Sequence, residues 1–388
     1  MTNSAQDYHD PAPFHVEAQG QSLTFYPAGR DRLDALLEMI GNAQRTLDLC
    51  YYMFVDDNSG KRVRDALVDA ARRGIAVRLI IDSFGSDVPG DYFDALKKAG
   101  GRFWLFSPKR TRRYLIRNHQ KMAIADGRLA LIGGFNVEYD YFAPPHENGW
   151  HDLGLALEGS AVDQLGEWFA QLEDWVSNPK AQFRDIFRKV KRWDGGSGPV
   201  RLLIGGPTRG LSSWARCVQE DLERGHRLDM VMAYFSPNRK LLKSIGAIAG
   251  GGHTRLVMAG KSDNGATIGA TRSLYDYLLG KGARIWEFDA CKLHMKLVVL
   301  DDAVYIGSAN FDMRSLFINL ELMLRIEDAA LADRLRAFVG EQLEASREIT
   351  PEYHARKATL WNRVRWNLSW MLVGVLDYTI SRKLNLGL

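Results

Sequence analysis

The pattern H-x-K-x4-D is written twice in this chain of 388 residues, as His119, Lys121 and Asp126 in NHQKMAIAD and as His294, Lys296 and Asp301 in LHMKLVVLD. Each copy runs through a short apolar stretch to a glycine turn and an asparagine: Gly133, Gly134 and Asn136 after the first, Gly307, Ser308 and Asn310 after the second. One match in a chain of this length arises by chance with a probability of roughly a few per cent, so two with matching tails mean duplication.

The surroundings are duplicated as well. In the first half, helical patterning over 30–43 leads to an apolar strand at 47–54, a helix at 61–73, a strand at 76–82, a helix at 92–98 and, past Gly100 and Gly101, a strand at 102–106. The second half repeats strand 228–235, helix 240–249, strand 254–259, helix 273–279 and strand 284–288. In LKKAGGRFWLF and LLGKGARIWEF, Gly100, Arg102, Trp104 and Phe106 fall opposite Gly282, Arg284, Trp286 and Phe288. This alternation predicts an α/β fold of two similar halves, each a mixed sheet flanked by helices, related by a pseudo-twofold axis with one active site between them. The expected divisions are an N-terminal tail (1–20), a first half (21–178), a basic amphipathic segment and linker (179–200, ending in GGSGP), a second half (201–347) and an amphipathic tail (348–388).

Alternation along a strand points His119 and Lys121 to one side, and His294 and Lys296 likewise. If these faces meet, two imidazoles, two ammonium groups and two asparagine amides surround one space suited to a phosphate diester. Its transfer needs charge neutralisation, a nucleophile and a proton for the leaving oxygen. Histidine, with an ordinary pKa near 6.5, serves the last two needs. Lys121, Lys296, Asn136 and Asn310 serve the first. A lone strand histidine is more often a satisfied core residue, and a lone lysine a solvated charge; duplication, and the apolar runs MAIA and LVVL that follow Lys121 and Lys296, reverse that reading.

At these residues the chain resembles the phospholipase D superfamily, whose signature is H-x-K-x4-D followed by G-[GS]-x-N in two copies. The GGFN and GSANFDMRS tails and the WHD at 150–152 look most like bacterial cardiolipin synthases of the short type. The resemblance covers most of residues 20–345 and implies a two-step reaction without metal or cofactor. One motif histidine attacks phosphorus, the other protonates the departing alcohol, and a second alcohol then takes the phosphatidyl group. By analogy His119 is the nucleophile and His294 the general acid. Glu321 and Asp152 fall where the family places the carboxylates that hold the histidine rings, and Ser308 has no hydroxyl counterpart at Gly134. The motif aspartates Asp126 and Asp301 complete the candidate catalytic set, although the family implies that they stabilise the motif and do not touch phosphate.

Composition permits an anionic partner without requiring one: net charge is +4 and the hydrophobic fraction 46%. Cys50, Cys217 and Cys291 have neither disulfide nor zinc spacing and read as buried thiols in a reducing compartment. The N-terminus lacks a signal-peptide pattern, and no run approaches the roughly 20 apolar residues of a membrane span. A cytoplasmic-side location is expected.

The choice between lipid and nucleic acid rests on other segments. The loop SPKRTRRYLIRN places Lys109, Arg110, Arg112, Arg113 and Arg117 before the first motif, which suits either. In the segment 180–193, Phe183, Ile186, Phe187 and Val190 oppose Arg184, Arg188, Lys191 and Arg192, as in an interfacial helix or a helix docked on the domain. The tail carries Trp361, Trp366, Trp370 and Tyr378 around the apolar run 371–376, with Arg363, Arg365, Arg382 and Lys383 beside it, a composition suited to shallow insertion. The expectation is a peripheral phosphatidyltransferase acting on anionic phospholipids, phosphatidylglycerol and cardiolipin, with nucleic acid not the expected partner. A hydrolase or nuclease of the same superfamily is the alternative.

Overall fold

A computed structural model describes residues 8–86, 88–107, 116–208 and 210–376. Lys109, Arg110, Arg112 and Arg113 of the basic loop, and Tyr378, Arg382 and Lys383 of the tail, lie outside the described residues.

The first half runs β1 (Phe14–Ala18), β2 (Gln21–Tyr26), α1 (Gly29–Asn42), β3 (Thr46–Tyr51), α2 (Asn58–Arg72), β4 (Ala76–Asp82), α3 (Asp94–Lys98), β5 (Arg102–Phe106), β6 (Met122–Ala125), β7 (Leu129–Gly133), α4 (Tyr139–Phe142), β8 (Trp150–His151), β9 (Gly154–Glu158) and α5 (Ser160–Ser177). After α6 (Phe183–Arg192), the second half runs β10 (Val200–Gly205), α7 (Ser213–Arg224), β11 (Leu228–Met232), β12 (Phe235–Ser236), α8 (Arg239–Gly250), β13 (Thr254–Ala259), α9 (Gly265–Arg272), α10 (Tyr275–Gly280), β14 (Arg284–Phe288), β15 (Lys292–Leu293), β16 (Lys296–Leu300), β17 (Ala303–Gly307), β18 (Phe311–Asp312), α11 (Met313–Phe317), β19 (Glu321–Glu327) and α12 (Ala329–Glu344). The chain continues through β20 (Ser346–Glu348), α13 (Pro351–Lys357) and α14 (Leu360–Trp370).

Two eight-stranded sheets result, ordered β1-β2-β9-β7-β6-β3-β4-β5 and β10-β19-β17-β16-β11-β13-β14-β20. From β2 and β10 onward the two orders match strand for strand. Strands β3, β4 and β5 pair in parallel and the others antiparallel, and β11, β13 and β14 repeat this, so each sheet is mixed. The duplication extends to details: Asp57 caps α2 and Asn238 caps α8 through their side chains. Asp48 pairs with Arg78 across β3 and β4, as Asp229 does with Arg255 across β11 and β13.

Each sheet buries both faces, which is why its strands read as nearly continuous apolar runs. Cys50, Ile80, Ile124, Val257, Leu297 and Leu324 face a core shared by the two halves. Their neighbours Leu49, Leu79 and Leu131 pack under α1 and α2, and Met230, Leu256 and Val298 under α7 and α8. Cys50, Cys217 and Cys291 are buried free thiols.

Two differences from the sequence expectations, and the choice between two open readings of α6, have physical causes. Residues 14–18, expected within a tail, form the edge strand β1, because Val16 and its neighbours pair with 21–25 across a tight turn. In α6, Phe183, Ile186 and Val190 are buried in the shared core, so the docked alternative holds for that helix. Its apolar stripe is used up by packing and leaves only the basic face outward. Finally, β20 closes the second sheet beyond β14, tying residues 346–348 to the domain, and α13 and α14 follow directly.

Candidate active site

The two motif histidines lie just ahead of their strands rather than within them. Extended residues 117–119 pair not with their own sheet but with 319–320 of the other half: His119 N–H donates to Leu320 O at 2.9 Å, and Leu320 N–H to Arg117 O at 2.9 Å. The second copy does the same in mirror fashion, with β15 paired to β8 and His294 N–H donating to His151 O at 2.8 Å. Each pairing brings the residue after it into place. Glu321 follows Leu320, and Asp152 follows His151.

The consequence is that each imidazole is held by a carboxylate from the opposite half. His119 Nδ1 lies 3.1 Å from Glu321 Oε2, and His294 Nδ1 lies 2.7 Å from Asp152 Oδ2. An Nδ1–H directed to a carboxylate leaves Nε2 as the free ring nitrogen, which is the tautomer a nucleophile or proton carrier needs. Lys121 and Lys296 are buried beside them; Lys121 Nζ donates to His119 O at 2.6 Å, and Lys296 Nζ donates to His294 O and lies 2.7 Å from His294 Nδ1.

Local contacts explain the unequal glycine turns. Ser308 Oγ donates to Glu321 Oε2 at 2.5 Å and accepts from Leu322 N–H at 3.1 Å. At Gly134 a Cβ would meet the Asp152 carboxylate oxygens at 2.6 and 2.8 Å and Lys296 Cδ at 2.9 Å. The Asp152 carboxylate therefore occupies the space that a serine side chain takes in the second half.

Asn136 Oδ1 accepts from Met53 N–H at 3.1 Å. Asn310 Oδ1 is buried with no hydrogen bond among the described residues. Asp126 and Asp301 are not brought to this space. They end β6 and β16 at left-handed turns, φ 58° and 48°, and accept from the backbone N–H groups of Gln44, Arg45 and Thr46 and of His226 and Arg227. Short Asp side chains tolerate this backbone and bond locally. Their place is in the loop joints, so they do not belong with the catalytic candidates among which the sequence pattern puts them.

Several contributors carry no motif signal. Arg32, from α1, is buried and donates to Asp152 O at 2.6 Å, Trp150 O at 3.0 Å and Tyr141 O at 2.8 Å, gathering the loop that carries Asp152. Gln120 Nε2 donates to Glu321 O at 3.1 Å while its Oε1 accepts from Trp168 Nε1 at 3.0 Å. The Tyr141 hydroxyl is 3.4 Å from His294 Nε2, and Tyr52 packs its ring 4.9 Å from that of His119. Nothing in the sequence marked Arg32, whose burial only the tertiary structure shows.

Burial and mutual repulsion among the cations set the electrostatics. Burial, with Lys121 and Lys296 nearby, holds His119 well below its ordinary range; burial and Lys296 bring His294 down to about 3. Burial lowers Lys121 to about 7, although Glu321 opposes this, and Lys296 to about 8 against Asp152. Burial raises Glu321 to about 8 despite Lys121, whereas at Asp152 the same effect is outweighed by Lys296 and His294, and the carboxyl stays below its usual range.

A cationic pair with lowered pKa values is primed for an anion. An oxyanion between Lys121 and Lys296 favours their charged forms, so binding takes up protons above about pH 7, and affinity falls as pH rises through about 7 to 8. Calorimetry of tungstate binding at pH 8, in buffers of different ionisation enthalpy, is expected to show net proton uptake that shrinks in Lys121→Met. Proton release in the wild type would contradict this electrostatic picture.

Two histidines, each set by a buried carboxylate from the other half and flanked by two lysines, equip a two-half enzyme for transfer at a phosphodiester. The chain belongs to the phospholipase D superfamily: the family model described as "Cardiolipin synthase, PLD-like domain" matches residues 36–173 and 220–341. It is 30% identical over 378 residues to the major cardiolipin synthase ClsA of Bacillus subtilis, covering 93% of this chain and 77% of that one. It is also 30% identical over 348 residues to cardiolipin synthase 1 of Staphylococcus aureus, covering 85% and 69%. Among solved structures it is similar to phosphatidylserine synthase of Haemophilus influenzae, with a TM-score of 0.74 and 14% identity over 97% of this chain and 98% of that one, a likeness of fold. Among the described residues no helix is long and apolar enough to cross a membrane.

Proposed function

We propose that the chain is a phosphatidyltransferase of the cardiolipin synthase type, joining two phosphatidylglycerols, or one with a related lipid alcohol, at the cytoplasmic face of a bacterial inner membrane. The observation that carries the reading is the crossed pairing of His119 with Glu321 and of His294 with Asp152, 202 and 142 residues apart in sequence.

In the first step His119 Nε2 forms a bond to phosphorus and the bond to the glycerol oxygen breaks, with His294 supplying the proton that oxygen needs. His294 must therefore be protonated by then. Its low free pKa makes it a strong acid once the phosphodiester's negative charge has favoured the imidazolium. In the second step a hydroxyl of the acceptor lipid gives its proton to His294 and attacks phosphorus, releasing His119. Glu321 and Asp152 hold the rings throughout, Lys121 and Lys296 balance the nonbridging oxygens, and Asn136 and Asn310 flank them. Identity to cardiolipin synthases of Bacillus subtilis and Staphylococcus aureus supports the lipid substrate.

Peripheral attachment is supported by α14. Leu360, Trp361, Val364 and Leu368 are exposed along one side, Leu360 by 81% and Trp361 by 75%, with exposed Met371 and Leu372 just past its end, while Trp366 on the opposite side is buried. Such an outward apolar stripe suits the headgroup boundary of a bilayer. The deciding experiment is incubation of the purified chain with phosphatidylglycerol vesicles and identification of products by mass. Cardiolipin with equimolar glycerol is expected. Phosphatidic acid alone would make the enzyme a hydrolase, and DNA cleavage without lipid turnover would overturn the reading.

A further inference from the structure

Away from the catalytic centre, a cavity of about 280 Å3 opens between the β14–β20 edge of the second sheet and helices α13 and α14. We infer that this cavity is a second, non-catalytic binding site for the phosphodiester headgroup of an anionic phospholipid, seated in the leaflet on which α14 rests. The inference depends on the membrane-facing reading of α14 and deepens it.

Charge is the first argument. Arg347, Lys357 and Arg365 line the cavity together with Tyr353, Asn362 and Trp366. The acidic groups nearby already have partners. Glu287 accepts from Arg272 through both oxygens, each at 2.7 Å, and from the Tyr275 hydroxyl at 3.1 Å. Asp289 pairs with Arg347 at 2.6 Å, and Asp276 with Arg363 and, at 3.3 Å, with His354. Lys357 and Arg365 form no ion pair among the described residues, whereas the Tyr353 hydroxyl accepts from Arg347 at 3.1 Å and the Asn362 amide donates to Lys357 O at 2.8 Å, so the two cations are the uncommitted donors beside the cavity. That donor set matches a phosphodiester, whose two nonbridging oxygens accept hydrogen bonds and carry one negative charge.

Position is the second argument. Residues 360, 364, 368 and 372 recur every fourth place along the exposed stripe, directly opposite buried Trp366, and Arg365 falls at the border between the stripe and the protein. A lipid lying with its chains along Leu368 and Trp361 would thus present its headgroup at the level of Arg365 and Lys357. A long basic side chain at an apolar border normally reaches for that level. A soluble anion would gain nothing from the apolar stripe, and so the lipid is the occupant that uses both features.

The test compares cosedimentation of the full chain with phosphatidylcholine vesicles that contain or lack phosphatidylglycerol. Lys357→Glu/Arg365→Glu is expected to lower the preference for the anionic vesicles by roughly thirtyfold, at roughly fivefold per basic residue near the surface. A control with the same change of charge, Lys281→Glu/Arg356→Glu, uses exposed cations outside the cavity and is expected to change the preference less than about twofold. Equal losses in both double variants would reassign the effect to the diffuse field of the protein and overturn the site, as would no loss in the first. Displacement from anionic vesicles by inorganic phosphate, against chloride at equal ionic strength, would make the occupant a soluble oxyanion and likewise overturn it. Turnover of short-chain phosphatidylglycerol in detergent separates this inference from the transferase reading. Both double variants are expected to retain it, and its absence in the wild type would refute the transferase while leaving the vesicle result to stand.

Discussion

Alanine at His119 is expected to abolish turnover, with kcat reduced by about three orders of magnitude or more, because it removes the atom that bonds to phosphorus. The chain should remain folded. His119 makes its backbone bond to Leu320 regardless of side chain, and its ring is partly exposed at the edge of the site. Alanine at His294 should be as damaging on a phosphatidylglycerol substrate, since a glycerol oxygen leaves poorly without a proton. The two variants separate on a lipid whose leaving group is a nitrophenolate, which departs without protonation. There, His294→Ala is expected to recover a burst of nitrophenolate, equal to one per enzyme, while His119→Ala shows none. A burst in His119→Ala and its loss in His294→Ala would exchange the two roles, and full activity in either alone would remove that histidine from the chemistry.

Replacing Arg32 with methionine is expected to cost about 3–5 kcal/mol of stability and most of the activity. The guanidinium reaches the carbonyls of Tyr141, Trp150 and Asp152 at once and also that of Pro27, all in a buried setting. A methionine fills comparable volume but leaves those oxygens without donors, and each orphaned buried carbonyl costs about 1–3 kcal/mol before relaxation. The loop they belong to carries Asp152, so its loosening also frees the His294 ring. Lysine should not restore function, because a single ammonium cannot reproduce the planar fork that spans several carbonyls. Urea denaturation measures the first effect and vesicle turnover the second. A variant with unchanged midpoint and activity would show that the loop holds itself.

Much of the role of His119 could be anticipated from residues alone, and none of that of Arg32. Duplication marks His119, Lys121, His294 and Lys296 without any knowledge of contacts, since an unlikely spacing repeated with its tail has no simpler explanation. Strands 76–82, 102–106, 254–259 and 284–288 match their expected bounds, because their apolar runs are bracketed by glycine and charge. The strand expected at 47–54 is shorter, ending at Tyr51, where the backbone turns into the site and Met53 bonds Asn136. Arg32 carries no such mark. An arginine among the polar positions of an amphipathic helix reads as a solvated charge until the 141–152 loop closes over it.

Asp126 and Asp301 show the reverse case, a clear sequence signal whose role was not catalytic. Their conspicuous spacing reflects the left-handed turn that each strand needs at its far end, repeated because the strand was repeated. Helix α6 and helix α14 make a second contrast. Both are basic and apolar in composition, yet the shared core takes the apolar face of α6, whereas α14 docks through Trp366 and turns its other apolar face outward. Composition counts the apolar residues of a helix but not the surfaces available to cover them.

What the sequence determined by itself was the duplication, the α/β alternation and the histidine and lysine chemistry, because these depend on residue identity and on spacing along a few turns or strands. The tertiary structure decided the crossing of the carboxylates: Glu321 serves His119 and Asp152 serves His294 only because short extended segments pair between halves, 202 and 142 residues away from their partners. Periodicity reports which face of an element is apolar. Which distant element meets that face is settled by packing the two sheets on one core, and this pairing turns two half-sites into one.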